Sequence, residues 1–182
     1  MVRGLPIRYS GGTAYYAVLN DLERETTTMT ITVTQEQPDT FDATSLILEL
    51  EATLAPLYPP ASRHGFSVDR LIVEGVAFFI LRDNGIPAGC AGIKLIDAAY
   101  GEVKRMYIRP SFRGRGFGAR MLDHLAAYAK AHSVGLLRLE TGLYQYEAIR
   151  LYERVGFYRI APFGSYTDDP LSLYYEKRLT GA

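Results

Sequence analysis

The stretch Arg113-Gly114-Arg115-Gly116-Phe117-Gly118 sets three glycines at alternating positions around two guanidinium groups. Ahead of it, Val103-Lys104-Arg105-Met106-Tyr107-Ile108 reads as a strand, and Pro110 ends pairing because it has no amide hydrogen to give. Behind it, Phe117, Met121, Leu122, Leu125, Ala126 and Ala129 recur at the spacing of one helix face. Strand, glycine turn and helix start together make an anion site. The first amides of a helix have no intrahelical acceptor, and the helix dipole adds partial positive charge there. Glycines remove the side chains that would hold a phosphate off, and arginines add charge-assisted hydrogen bonds. The stretch is expected to hold a phosphate, and a diphosphate in preference to a single one.

Two familiar phosphate ligands fit poorly. A nucleotide P-loop needs Lys-Ser/Thr after the last glycine, where this chain has Ala119-Arg120. A dinucleotide fingerprint needs an acid roughly 20 residues on, in a repeated strand–helix unit. Glu140 follows in a strand, but the unit does not repeat. A glycine turn with a basic surface is the ordinary fate of a lone Gly-x-Gly.

The stretch nevertheless resembles the Arg/Gln-x-x-Gly-x-Gly/Ala signature of the GNAT acyltransferase superfamily, in its expected place between a strand and a long helix. A second stretch, Ala148-Ile149-Arg150-Leu151-Tyr152-Glu153-Arg154-Val155-Gly156-Phe157, is similar to that family's Ala-x-x-Leu-Tyr-x-x-x-Gly-Phe. Both occur in order and at the usual separation, and the resemblance runs from about Met29 to Leu179. One departure is Gln145, where many members carry Asn. The resemblance implies acetyl-CoA as co-substrate, no metal, and transfer of its acetyl group to the amine of a small molecule by direct attack in a ternary complex.

Acyl transfer to an amine sets the residues to look for. At a lysine-like pKa of about 10.4, only about four amines in ten thousand are neutral at pH 7. A carboxylate, directly or through water, can take the proton, and the departing thiolate gains from a nearby hydroxyl. By resemblance, Tyr152 is the thiolate-facing tyrosine and Glu102, at the start of the strand leading into the glycine loop, is the general base. Glu102 reads equally well as a partner for Lys104, and Glu140 is the second candidate base. The same resemblance gives Arg113, Gly114, Arg115, Gly116, Phe117 and Gly118 to the diphosphate, and the backbone of Met106, Tyr107 and Ile108 to the pantetheine arm.

Leu139-Glu140-Thr141-Gly142, Pro162-Phe163-Gly164-Ser165-Tyr166, Asp169-Pro170-Leu171-Ser172 and the Pro59-Pro60…His64 loop narrow the resemblance to a bacterial subgroup of small-molecule GNAT proteins. It stops short of naming an acceptor. Arg63 and His64 in that loop, with Lys104 and Arg105 on the strand, suggest an anionic or amino-acid-like one. Strand alternation would let only one of Lys104 and Arg105 face the site.

The elements that must position these residues can be read along the chain. Residues 1–28 precede the family's first strand and read as an extension that is dispensable for catalysis, with Met29 able to serve as initiator; residues 29–182 form the GNAT domain. Met29 to Thr34 is a strand, and Asp39 or Asp42 caps a helix carrying Leu46, Ile47, Leu50 and Leu54, which ends at Pro56. A short helix capped by Ser67 comes next. Val76–Leu81 and Ile86–Ile96 pair across a tight Asn84-Gly85 turn. After the strand ending near Arg109 and the helix to about His132 come a strand from Leu136, a helix from Tyr146 closed by Gly156, and strands Phe157–Ile160 and Leu173–Arg178. The order predicts an α+β fold: a mixed, mostly antiparallel central sheet with helices on both faces.

The whole-chain properties agree. A length of 182 residues fits one domain of this kind. Twenty basic and twenty acidic residues cancel, so no polyelectrolyte character points to nucleic acid, and no run nears the roughly 20 apolar residues of a membrane span. Cys90 is the single cysteine, which rules out an internal disulfide and fits a reducing cytoplasm. The three histidines are far apart in sequence, giving no zinc pattern. Oligomeric state stays open, a homodimer included. Two other readings stand beside the acetyltransferase: a non-catalytic acyl-CoA-binding or sensing protein, and an acyltransferase using another acyl donor.

Overall fold

Ala77, Phe79 and Leu81 pack into one apolar cluster while Phe78 and Ile80, between them, pack into another. A strand buried on both faces demands cover on both sides of its sheet, and helices provide it. The computed structural model describes residues 30–179. The proposed extension, residues 1–28, and Met29 lie outside that range.

The elements are β1 (Ile31–Glu36), α1 (Phe41–Leu54), α2 (Val68–Val73), β2 (Ala77–Asp83), β3 (Ile86–Ile96), β4 (Tyr100–Ile108), α3 (Phe117–Ala131), β5 (Leu136–Gly142), α4 (Tyr146–Arg154), β6 (Tyr158–Ile160) and β7 (Ser172–Arg178). They form one seven-stranded sheet in the order β1-β2-β3-β4-β5-β7-β6. Every neighbouring pair is antiparallel except β4 and β5, which α3 joins as the crossover that parallel strands require. The expected α+β architecture is the observed one.

α1 and α2 cover one face through Ala43, Leu46, Ile47, Leu50 and Leu71. α3 covers the other through Phe117, Met121, Leu122, Leu125 and Ala129, joined by Tyr152 of α4. Truncating a fully buried member such as Leu125 to alanine would cost about 2–5 kcal/mol. Local chemistry sets the boundaries. Asn84 (φ 49°) and Gly85 (φ 81°) supply the two positive dihedrals of the β2–β3 turn. Ser67 caps α2, its hydroxyl accepting from the Arg70 amide at 3.3 Å. The cap of α1 is Thr40, accepting from the Ala43 amide at 3.4 Å, and not Asp39 or Asp42. Asp42 lies inside the first turn, where its carboxylate meets Arg82 at 2.6 Å.

Two irregularities in β4 open the sheet toward its C-terminal end. Its register with β3 slips between Cys90 and Gly92, so that one extra β4 residue bulges out, and Arg105 there takes φ 53°. Its ladder with β5 runs only from Gly101↔Leu137 to Val103↔Leu139. Beyond Val103 the two strands part, and the β5-facing backbone of Met106 to Ile108 is left without a strand partner among the described residues.

Candidate active site

The glycine turn sits at the mouth of that parting. A single 3-10 turn, Pro110–Phe112, leads into Gly114 (φ 77°) and Gly116 (φ 79°), left-handed positions that a side chain would strain. Gly116 is the N-cap of α3 and offers no side chain to its amides. The first helical bond is Arg120 N–H to the Gly116 carbonyl at 3.1 Å, so the amides of Phe117, Gly118 and Ala119 have no acceptor among the described residues. Gly118 serves packing as well: a Cβ there would stand 2.6 Å from Leu151 Cδ2 of α4.

Arg113, Gly114, Gly116, Phe117 and Gly118 line a cleft of about 700 Å³, along with Met106, Tyr107 and Ile108 of β4. Arg113 donates to the Ile108 carbonyl at 3.1 Å and pairs with Glu147 of α4 at 2.7 Å, both at the cleft wall. Arg115, expected beside it, is turned away: it pairs with Asp83 at 3.1 Å over the ring of Phe112 and does not border the cleft. Arg113 and Arg115, on either side of Gly114, splay to opposite sides, so of these two only Arg113 borders the cleft.

Tyr152 closes the inner end. It is buried and packs edge-on against Phe157. Burial, reinforced by the charge of Glu140, pushes its phenol above the ordinary tyrosine value, so it remains a proton-bearing donor at neutral pH. Beyond it lies a second cavity of about 110 Å³. The two cavities share Leu50, Met106, Gln145, Ala148 and Tyr152 as lining.

The two candidate carboxylates stand differently toward this second cavity. Glu140, near the end of β5, borders it. Burial raises its pKa, and the Ser172 hydroxyl, which donates to it at 2.7 Å, pulls part of the way back, as do the charges of His64 and Lys104. Glu102 does not border either cavity. Its Oε1 accepts from the Tyr166 hydroxyl at 2.7 Å and pairs with Lys104 at 2.6 Å, Glu102 and Lys104 being buried and Tyr166 half-buried. Desolvation lowers the Lys104 pKa against the pull of Glu102. Tyr166, whose phenol burial pushes far up, separates Glu102 from the cavity.

The remaining wall comes from the loop after α1. Tyr58, Ser62, Arg63, His64 and Gly65 all border the cavity. Tyr58 accepts from the Tyr144 amide at 2.7 Å, and a Cβ on Gly142 would collide with its ring, so this loop is clamped to the β5–α4 turn. His64 meets Asp169 at 3.3 Å and the Tyr166 ring edge-on at 5.4 Å. Lys104 and Arg105 both border the cavity, against the expectation from alternation, because the bulge lies between the paired residues Lys104 and Tyr107 and begins at Arg105, whose φ is 53°.

Comparison with known proteins matches residues 45–157 to the acetyltransferase (GNAT) family. The chain belongs to the GNAT acetyltransferase family. It is accordingly an acyl-CoA-dependent N-acetyltransferase. Among similar proteins is an IAA acetyltransferase of Azospirillum brasilense, 39% identical over 150 residues that span 82% of this chain and 98% of that one. A Klebsiella pneumoniae structure described as an acyl-CoA N-acyltransferase superposes with a TM-score of 0.69 at 34% identity, covering 82% of this chain and 97% of its own. The fold is shared with a GNAT acetyltransferase of Elizabethkingia anophelis holding acetyl-CoA, at a TM-score of 0.62 and 17% identity, with 82% and 98% covered.

In this GNAT chain the two motifs read from the sequence meet across one cleft, the glycine loop on one side and α4 on the other. Gln145, the position that departs from the family pattern, borders both cavities. Sequence reasoning assigned no site role to Tyr58 or Tyr166. They reach the cavity from loops 86 and 64 residues from their hydrogen-bond partners Tyr144 and Glu102, a separation no local pattern reports.

Proposed function

We propose that this enzyme transfers the acetyl group of acetyl-CoA to the amine of a small molecule by direct attack within a ternary complex. The observation that carries the reading is the meeting of the two cavities at Tyr152. The larger one has free helix amides, Arg113 and an unpaired strand edge, which suit a diphosphate followed by an extended amide-bearing arm. The smaller one has a carboxylate in its wall. Donor and acceptor therefore approach each other with a phenol at the junction, and no covalent enzyme intermediate is needed.

The roles follow from position. Glu140, directly or through one water, takes a proton from the acceptor ammonium; the neutral nitrogen attacks the thioester carbon, the C–N bond forms and the C–S bond breaks. Tyr152 donates a hydrogen bond to the departing sulfur, and the second proton, which the nitrogen sheds as it becomes the amide, passes to that sulfur, directly or through water, so that it leaves as the free thiol. Glu102, the strand-start acid, acts through Tyr166 and Lys104 rather than on the amine. Arg113 and the amides of Phe117 and Gly118 hold the diphosphate, Gly114 and Gly116 let it approach, and Met106, Tyr107 and Ile108 pair with the pantetheine arm; Arg115 supports the loop through Asp83.

Thiol release from acetyl-CoA across a panel of small amines and amino acids tests the reading. Release that depends on both acceptor and enzyme is expected, with equimolar N-acetyl product. Tight acetyl-CoA binding without turnover of any amine would turn the reading into an acyl-CoA sensor. Ping-pong kinetics with a labelled acetyl-enzyme would remove direct attack.

A further inference from the structure

Pairing off the charges around the smaller cavity leaves two unmatched. Lys104 matches Glu102, and Asp169 is held by the Leu171 amide and His64. Arg105, almost wholly buried, pairs with Glu51 and also donates to the Phe66 carbonyl. What remain are Glu140 and Arg63. Glu140 receives a hydroxyl from Ser172 but no cation comes within ion-pair distance of it among the described residues. Arg63 has one long side-chain contact, 3.5 Å to Glu51 Oε2, on a carboxylate whose Oε1 already pairs with Arg105, and its Nε is buried with no partner among the described residues. Both border the same cavity.

One carboxylate without a counter-ion and one undersatisfied guanidinium on the walls of a single small cavity are the complement of a zwitterion. We infer that the acceptor is a small amino acid or amino-carboxylate, its carboxylate received by Arg63 and its amine turned toward Glu140. The inference rests on the amine-acetylation reading and narrows its substrate. A guanidinium presents a planar fork that a carboxylate can meet with two parallel bonds, which an ammonium cannot offer. Arg63, which has only a share of the Glu51 charge, opposes a second positive charge at its end of the cavity, which disfavours polyamines. A water needs roughly 10–15 Å³ in such a cavity. The volume of about 110 Å³ then admits a group of roughly eight to ten non-hydrogen atoms.

The test uses matched sets of an amino acid, its amide and its decarboxylated amine, with a polyamine as a further competitor. Two readouts are taken on the full chain: thiol release from acetyl-CoA, and calorimetric binding of each compound to the enzyme loaded with free CoA. The amino acid is expected to exceed its amide in kcat/KM by roughly ten- to hundredfold, the range for a hydrogen bond to a charged group. Arg63→Gln should erase that preference, and Arg63→Lys should restore it in part, keeping charge but losing the fork; unchanged acetyl-CoA affinity certifies that both variants are folded. Equal use of amide and acid, preference for the polyamine, or an Arg63→Gln loss that falls alike on all compounds would overturn the inference. If no compound releases thiol, acetyl transfer to amines fails as a reading, and calorimetry decides the acceptor separately. Carboxylate-dependent binding weakened by Arg63→Gln supports the inference; binding indifferent to the carboxylate, or none at all, overturns it.

Discussion

Glu102 and Lys104, two positions apart on β4, close on each other at 2.6 Å with both side chains under one-tenth exposed. An ion pair this deep has cost each partner its hydration. Removing one partner strands the other, typically for about 3–5 kcal/mol, whereas replacing both by apolar groups is often neutral. Glu102→Gln is therefore expected to lower the urea midpoint sharply, and the double variant Glu102→Gln with Lys104→Met to recover most of the loss. A single variant as stable as wild type would mean that Lys104 has another counter-charge.

Glu140 carries the opposite signature. Burial raises its pKa above the ordinary value of about 4.3. A base must be ionised, so activity should fall as pH drops through this raised folded value. Ser172→Ala removes the bond that favours the charged form and should move the acid limb upward, a comparison in which titration of the acceptor amine cancels. Glu140→Gln should abolish that limb and lower kcat by roughly ten- to ten-thousandfold. Stability runs the other way. A carboxyl whose folded pKa is raised contributes stability that is fully present below its unfolded pKa and lost as pH rises through the folded one. Gln mimics the protonated form, so the thermal midpoint of Glu140→Gln should exceed that of wild type at pH 7 and converge with it toward pH 4. An unchanged pH–rate profile in Glu140→Gln would return the base role to Glu102.

The contrast between these carboxylates marks where the sequence was legible. The phase of α3, the turn at Asn84-Gly85 and the glycine loop depend on residues within one or two turns of each other, and all were readable. Glu102 and Glu140 look alike in sequence, each an acid on a strand. What separates them is Tyr166, arriving from a loop 64 residues from Glu102. The bulge at Arg105 was less legible, because β4 itself carries no glycine or proline there and the slip, flanked by Gly92 of β3, is a property of the β3–β4 pairing. Arg113 and Arg115 are distinguished by Glu147 and Asp83, one on α4 and the other on β2.

Gly116 and Gly85 offer a controlled pair. Both have φ near 80° and neither has an atom within 4 Å of an added Cβ, so valine at either costs backbone strain of about 1–3 kcal/mol and nothing in packing. Only Gly116 opens toward the cleft. Gly116→Val should weaken acetyl-CoA binding at least tenfold by calorimetry, while Gly85→Val should match its loss of stability and keep wild-type affinity. Equal affinities in the two folded variants would place the diphosphate elsewhere.

Cys90 is fully buried, and desolvation pushes its thiol up to about 12. Thiolate is the reactive form, so the native protein should show almost no reaction with a disulfide reagent at pH 8 and one thiol per chain in denaturant. Fast reaction of the folded enzyme would show that β3 opens locally around this residue.

Tyr152 gives the sharpest separation between packing and chemistry. Its ring lies against Phe157 and its phenol, held protonated by burial, stands where the two cavities join. Tyr152→Phe keeps the ring and deletes the hydroxyl. If that hydroxyl serves the departing sulfur, kcat should fall by roughly ten- to ten-thousandfold while the dissociation constant of acetyl-CoA hardly moves, because the bond matters only as charge develops on sulfur. An acyl donor with a more acidic thiol needs less help, so the variant should lose least with such a donor. Thermal stability should change little. A variant with wild-type turnover would make Tyr152 a packing residue, and one that lost acetyl-CoA affinity in step with rate would make its hydroxyl a ground-state contact instead.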